Sequence, residues 1–178
     1  MRMRNRLRAG RRLVLSGAVA ALVAGAATFA GAGPAAADTS GSASNANTHR
    51  CIDDSFAYGL RAFPCNYMSF QDWTGTWQNG GIGPTSDPGG WVLTNSATGR
   101  CIDDSFAYGL RAFTCNGLAF QRWSESEVFN GYNYLGTVLK NNVTGRCIDD
   151  SFAYGLRAFT CNGQNFQDWM GGGVLNPY

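Results

Sequence analysis

Fourteen residues, RCIDDSFAYGLRAF, occur three times in this chain without a change, at positions 50–63, 100–113 and 146–159. Each copy runs on to a second cysteine and an Asn: Cys65-Asn66, Cys115-Asn116 and Cys161-Asn162. Each then closes on Gln-x-Trp, with Gln71 and Trp73, Gln121 and Trp123, Gln167 and Trp169. The first cysteines stand at 51, 101 and 147, a period of 50 and then 46 residues. Such a period implies three copies of one supersecondary unit, none able to bury its apolar face alone, sharing one core.

The repeats begin only after a long leader. Residues 1–12 carry six arginines, an apolar Ala/Val/Leu-rich run follows, and Ala35-Ala36-Ala37 offers a small-x-small cleavage pattern. Residues 1–37 therefore read as an export signal, by the general secretory or the twin-arginine route, rather than a retained anchor. Without it, eight of the 14 basic residues face all 12 acidic ones, so the formal +2 becomes −4. That sign argues against nucleic acid as a partner. Residues 38–48 (DTSGSASNANT) carry no apolar pattern and are expected to form a disordered tail before a single domain over 49–178.

All six cysteines belong to the repeats, two in each and fourteen positions apart. In an exported chain this spacing predicts disulfides. Of the fifteen possible pairings, the repeat symmetry favours Cys51–Cys65, Cys101–Cys115 and Cys147–Cys161. A metal site fits poorly, since Cys-x-x-Cys is absent and the only histidine, His49, lies outside the repeated block. No metal or cofactor is expected.

Within each repeat the pattern predicts short strands and turns. In the first these are a strand at 50–53, a turn at 54–59, a returning strand at 60–65 and a third strand at 70–73. A fourth strand is expected between copies, at 91–95 and 136–141. Residues 174–176 resemble a third copy of that fourth strand, and no apolar equivalent precedes Arg50. The C-terminal strand is therefore expected beside residues 50–53, closing the third repeat on the first. The fold class is all-β, a barrel or sandwich with threefold repetition.

Strand alternation assigns the faces. Cys51 and Asp53 share one face; so do Arg61, Phe63 and Cys65 on the returning strand. A Cys51–Cys65 bond brings these faces together, which places an acid, a base and an aromatic ring in one patch. Ile52, Leu60 and Ala62 then point to the core. The same construction groups Asp103, Arg111 and Phe113, and Asp149, Arg157 and Phe159. Asp54, Asp104 and Asp150 read as turn residues, and Phe56, Phe106 and Phe152 as loop anchors.

On Cys-Ile-Asp, the second Cys-Asn and the closing Gln-x-Trp, all threefold, the chain from residue 50 onward resembles the ricin B-type lectins, the family 13 carbohydrate-binding modules. The resemblance implies a β-trefoil of three four-stranded units about a pseudo-threefold axis. It also implies sites in which Asp53, Asp103 and Asp149 accept hydrogen bonds from sugar hydroxyls. Phe63, Phe113 and Phe159 would stack on the sugar ring, Gln71, Gln121 and Gln167 would support the acid, and Trp73, Trp123 and Trp169 would fill the core. The chain departs from that pattern in two places. Arg61, Arg111 and Arg157 stand where the family has an amide, and Phe70, Phe120 and Phe166 where it has Asn. Each arginine either donates to a ligand or pairs with its aspartate and fills the site. Tyr58, Tyr108 and Tyr154 are further stacking candidates.

The functional expectation is a secreted, monomeric, non-catalytic protein that binds extracellular glycans or polysaccharide at up to three equivalent sites. It engages neither nucleic acid nor, after cleavage, membrane. The lone His49 gives a histidine triad no support. Three identical Asp-Asp pairs also do not offer the unlike environments that a general acid and base require. The alternative is a protein-binding or inhibitor-type trefoil with inactive sugar sites, for which Trp77, Tyr132 and Tyr134 in the connectors are candidate contacts.

Overall fold

The computed structural model describes residues 39–80, 88–171 and 175. The expected export signal, residues 1–37, lies outside the described residues. Among the described residues, thirteen strands form one antiparallel sheet. They are β1 (Thr39–Gly41), β2 (Ala43–Asn45), β3 (Arg50–Ser55), β4 (Gly59–Pro64), β5 (Trp73–Gln78), β6 (Gly90–Asn95) and β7 (Arg100–Ser105). The series continues with β8 (Gly109–Thr114), β9 (Trp123–Asn130), β10 (Asn133–Asn141), β11 (Arg146–Ser151), β12 (Gly155–Thr160) and β13 (Trp169–Gly171).

Two layers follow from the pairing. Strands β5, β6, β9, β10 and β13 pair in succession, and β1 and β2 close the ring, β1 on β5 and β2 on β13. This is a six-position barrel. The repeated sequence forms three hairpins, β3–β4, β7–β8 and β11–β12, joined to the barrel at Ser44↔Cys51, Thr94↔Cys101 and Lys140↔Cys147. Strands β4, β8 and β12 approach one another around the pseudo-threefold axis. A barrel capped by three hairpins is the β-trefoil, and the third repeat does close on the first, through β13 and β2.

Three expectations change here. Residues 39–45 are strands, not a disordered tail. They also hold the place beside β3 that residues 174–176 were expected to take. Of those three residues Leu175 alone is described; it is buried in the core, and its carbonyl accepts a 3.2 Å hydrogen bond from the Thr137 hydroxyl. Finally, the expected third strand at 70–73 is a 3-10 turn, Ser69–Gln71, with β5 starting at Trp73. The same turn recurs at Ala119–Gln121 and Asn165–Gln167.

The core is built from one residue set in triplicate. Ile52, Ile102 and Ile148, Trp73, Trp123 and Trp169, and Leu93, Leu139 and Leu175 are all buried together, and Leu60, Leu110 and Leu156 pack against them. Each indole Nε1 donates to the isoleucine carbonyl of its own repeat, at 3.0, 3.1 and 3.0 Å, so the rings fill volume without stranding a polar atom. The disulfides are Cys51–Cys65, Cys101–Cys115 and Cys147–Cys161, with Cα separations of 5.0, 5.1 and 5.1 Å.

The repeats are locked by a contact that no local pattern announces. Asp54, Asp104 and Asp150, expected in turns, lie on strands β3, β7 and β11 and are fully buried, at 0 % exposure. Each carboxylate is gripped by the first arginine of the next repeat, with Arg100 on Asp54, Arg146 on Asp104 and Arg50 on Asp150. The arginine Nε donates to one oxygen at 3.0, 3.0 and 3.1 Å, and Nη2 to the other. Nη2 also reaches the carbonyls of Ser55, Ser105 and Ser151 at 2.9, 3.0 and 3.0 Å. Thr98, Thr144 and Thr48 add a hydroxyl to the same carboxylates. These links join the repeats head to tail in a closed ring.

Asp54→Ala leaves Arg100 and Thr98 without their acceptor. Removing one partner of a buried pair costs about 3–5 kcal/mol. Denaturant unfolding with the disulfides intact is expected to show that loss, and a similar one for Asp104→Ala and Asp150→Ala, because the three latches are equivalent. A loss confined to one of the three would contradict the ring.

Candidate hairpin binding sites

Each hairpin carries Asp and Arg directly opposite one another, Asp53↔Arg61, Asp103↔Arg111 and Asp149↔Arg157, with Cys opposite Phe beside them. This antiparallel register places the acid, the base and the ring on one face, as alternation predicts. Ser55 sets the hairpin turn by accepting from the Tyr58 N–H at 3.1 Å, and Gly59, at φ +70°, takes the left-handed position that ends it. The turn leaves Phe56 and Tyr58 on the surface.

The arginine and the aspartate pair. Arg61 Nε donates to Asp53 Oδ1 at 2.9 Å; the equivalents are 3.0 Å for Arg111–Asp103 and 2.9 Å for Arg157–Asp149. Asp53 is only 2 % exposed, so its carboxylate lies beneath the arginine and not open to a ligand. The Arg61 side chain, by contrast, is 32 % exposed. Its guanidinium sits 4.4 Å from the Tyr58 ring centroid and 4.2 Å from that of Phe63. Arg111 and Arg157 repeat this at 4.4 and 4.1 Å, and at 4.4 and 4.2 Å. Two rings and a tied Nε hold the guanidinium in one pose.

The glutamines do more than the support of the acid that the resemblance implies. Gln71 Oε1 accepts from the Asn66 N–H at 2.8 Å, and Nε2 donates to the Pro64 carbonyl at 3.0 Å, which fixes the chain after the disulfide. Its contact with Asp53 is longer, 3.4 Å, as is that of Gln167 with Asp149. Gln121 makes the same two backbone bonds, to Thr114 and from Asn116. Support of the acid is secondary to support of the loop.

In the second repeat the face opens into a cleft of about 460 Å³ whose lining includes Asp103, Tyr108, Arg111, Phe113 and Asn116. Phe120 also lines it, so the ring that replaces an amide contributes apolar surface there. Phe56, Phe106 and Phe152, expected as loop anchors, are instead exposed and lie over the latch arginines of neighbouring repeats, at 5.2, 5.6 and 5.2 Å. Of the connector candidates, Tyr132 is fully exposed, and Trp77 packs edge-on against Trp91 at 5.6 Å.

Glu125 went unnoticed in the sequence. It lies on β9 opposite Leu139, and its Oε1 is buried with no hydrogen-bond partner among the described residues. Burial, with a smaller push from Glu127 two residues along the strand, raises its pKa to about 7.

No family profile matches the chain, and no curated protein matches it in sequence. Solved structures do. A designed threefold-symmetric protein, ThreeFoil, superposes with a TM-score of 0.57 at 16 % identity, covering 74 % of this chain and 96 % of that one. SeviL, solved bound to asialo-GM1 saccharide, gives 0.54 at 14 %, covering 76 % and 98 %. The hemolytic lectin CEL-III gives 0.54 at 17 %, with 73 % of this chain matching 29 % of that one. At such identities the likeness establishes the β-trefoil fold.

Because the Glu125 pKa is raised in the folded state, the stability it contributes is full below its ordinary value of 4.5 and lost as pH rises through about 7. Glu125→Gln is expected to flatten the melting temperature between about pH 5 and 8, and to raise stability at the alkaline end by on the order of 2 kcal/mol. An unaltered pH profile would contradict the burial of this carboxyl.

Proposed function

We propose that the chain is a secreted, non-catalytic carbohydrate-binding protein of the ricin B-type lectin kind. Its three hairpins are the sugar sites, and its Gln-x-Trp repeats are that family's structural signature. The observation that carries the reading is the threefold recurrence of one part-exposed arginine–aromatic face, built by identical residues while the connectors between copies differ. The lectins among the structural neighbours support it, as does the chemistry. A sugar ring offers C–H faces to Tyr58 and Phe63, and hydroxyl oxygens to the arginine N–H groups. Asp53 contributes by orienting Arg61, and Gln71 by fixing the loop.

Three weak sites on one rigid body would act together on a repetitive polymer, each bound site raising the effective concentration at the next. A monomer suffices for this. The three disulfides suit an oxidising, extracellular setting, and export by the 1–37 leader would deliver the chain there.

The test is co-sedimentation of oxidised 38–178 with a panel of insoluble polysaccharides, beside the triple variant Tyr58→Ala, Tyr108→Ala, Tyr154→Ala. These rings are 72 % exposed and each makes a cation–π contact with its arginine guanidinium, so the variant is expected to stay folded with a modestly lower melting temperature. Loss of one ring contact in each of three cooperating sites should weaken binding at least about tenfold. Binding to no polysaccharide, or equal binding by the variant, would overturn the reading.

A further inference from the structure

Each hairpin site presents an arginine with free donors and no open carboxylate to balance it. Asp53, Asp103 and Asp149 are the carboxylates of the patch, and all three are buried and engaged by their arginines. The arginines use only Nε for this. Among the described residues no hydrogen bond is made by either Nη atom of Arg61, Arg111 or Arg157, while their side chains are 32, 30 and 31 % exposed. The aromatic sandwich fixes the plane of the guanidinium, and the buried aspartate fixes one edge of it. The Nη pair, the parallel N–H groups of a guanidinium fork, is left without a protein acceptor among the described residues, on a side chain about a third exposed.

A neutral sugar hydroxyl can accept from the arginine, but its own proton finds no open carboxylate here. A carboxylate or sulfate only accepts, and its paired oxygens match a guanidinium fork in two parallel charge-assisted bonds. We propose that the hairpin sites select saccharides bearing an anionic substituent, a uronate carboxylate or a sulfate ester. The sugar ring lies against Tyr58, Tyr108 and Tyr154, and the anion sits on the Nη edge of Arg61, Arg111 and Arg157. This rests on the carbohydrate-binding reading above and refines it. General attraction does not supply the preference, because residues 38–178 carry a formal charge of −4. A polyanion is repelled by the molecule as a whole and gains only at the forks.

The experiment is calorimetric titration of oxidised 38–178 with matched polymers. Polygalacturonate is compared with its methyl ester, dextran sulfate with dextran, and polyacrylate serves as a polyanion without sugar. The expected result is at least about a tenfold preference for the uronate or the sulfate over its neutral counterpart, with polyacrylate bound weakly. Which of the two acidic polymers is favoured identifies the anion. The triple variant Arg61→Gln, Arg111→Gln, Arg157→Gln is expected to bring the ratio of acidic to neutral binding to about one. Equal wild-type affinity for acidic and neutral polymers overturns the proposal and leaves the carbohydrate-binding reading intact. So does polyacrylate binding as tight as the acidic saccharides, or a preference that survives in the arginine variant. Binding to no saccharide overturns both. The wild-type ratio decides the matter even if the variant does not fold.

Discussion

The structure depends on a carboxylate buried where two repeats meet. Asp54, Asp104 and Asp150 each lie at 0 % exposure inside a cage supplied by the following repeat. An unpaired charge in that place would cost several kcal/mol, so each repeat is incomplete until the next one docks. The last arginine in this sense is Arg50, which returns to Asp150 and closes the ring. Asparagines at the same junctions add to it. Asn95 donates from Nδ2 to the Phe70 carbonyl at 2.8 Å and accepts through Oδ1 from the N–H groups of Ala97 and Thr98, and Asn45 and Asn141 do the same at the other two junctions. Hydrophobic burial supplies the bulk of the folding free energy, but these pairs fix which surface meets which.

The same lock explains how adjacent aspartates come to different ends. Strand alternation sends Asp54 to the side of Ile52, toward the junction, and Asp53 to the side of Cys51, toward the hairpin face. Each then takes its own arginine. Arg100 bonds through both Nε and Nη2 and is used up in structure, whereas Arg61 bonds through Nε alone and keeps an edge for a ligand. One dipeptide, by its register, thus separates the scaffold from the site, three times over.

Much of this could be read before the structure. The repeat implied three units, the cysteine spacing gave the disulfides, and period-two alternation grouped Asp53, Arg61 and Phe63 and sent Ile52 inward. Three things were hidden, each for a physical reason. The Asp54–Arg100 pair spans 46 residues and joins different repeats, so no local periodicity reveals it. The Phe70 turn looks like a strand because its aromatic and Trp73 suit either state. The barrel strand at 39–45 is short and polar, with Ala43 and Asn45 its buried side chains, so it lacks an apolar signature. A signal for it did exist. Asn45-Ala46-Asn47-Thr48-His49-Arg50 repeats the Asn-x-x-Thr-x-Arg of 95–100 and 141–146, with His49 at φ +56° where the other copies have Gly99 and Gly145 at +66° and +67°. The lone histidine is therefore a turn residue in a third copy of the junction.

Six arginines fall into two sets, and their Nε–H resonances can be followed individually during titration with a saccharide. The signals of Arg61, Arg111 and Arg157 are expected to shift together, while those of Arg50, Arg100 and Arg146 stay where they are. Shifts confined to the second set, or to the connector tryptophans Trp77 and Trp91, would place the ligand elsewhere and contradict this division.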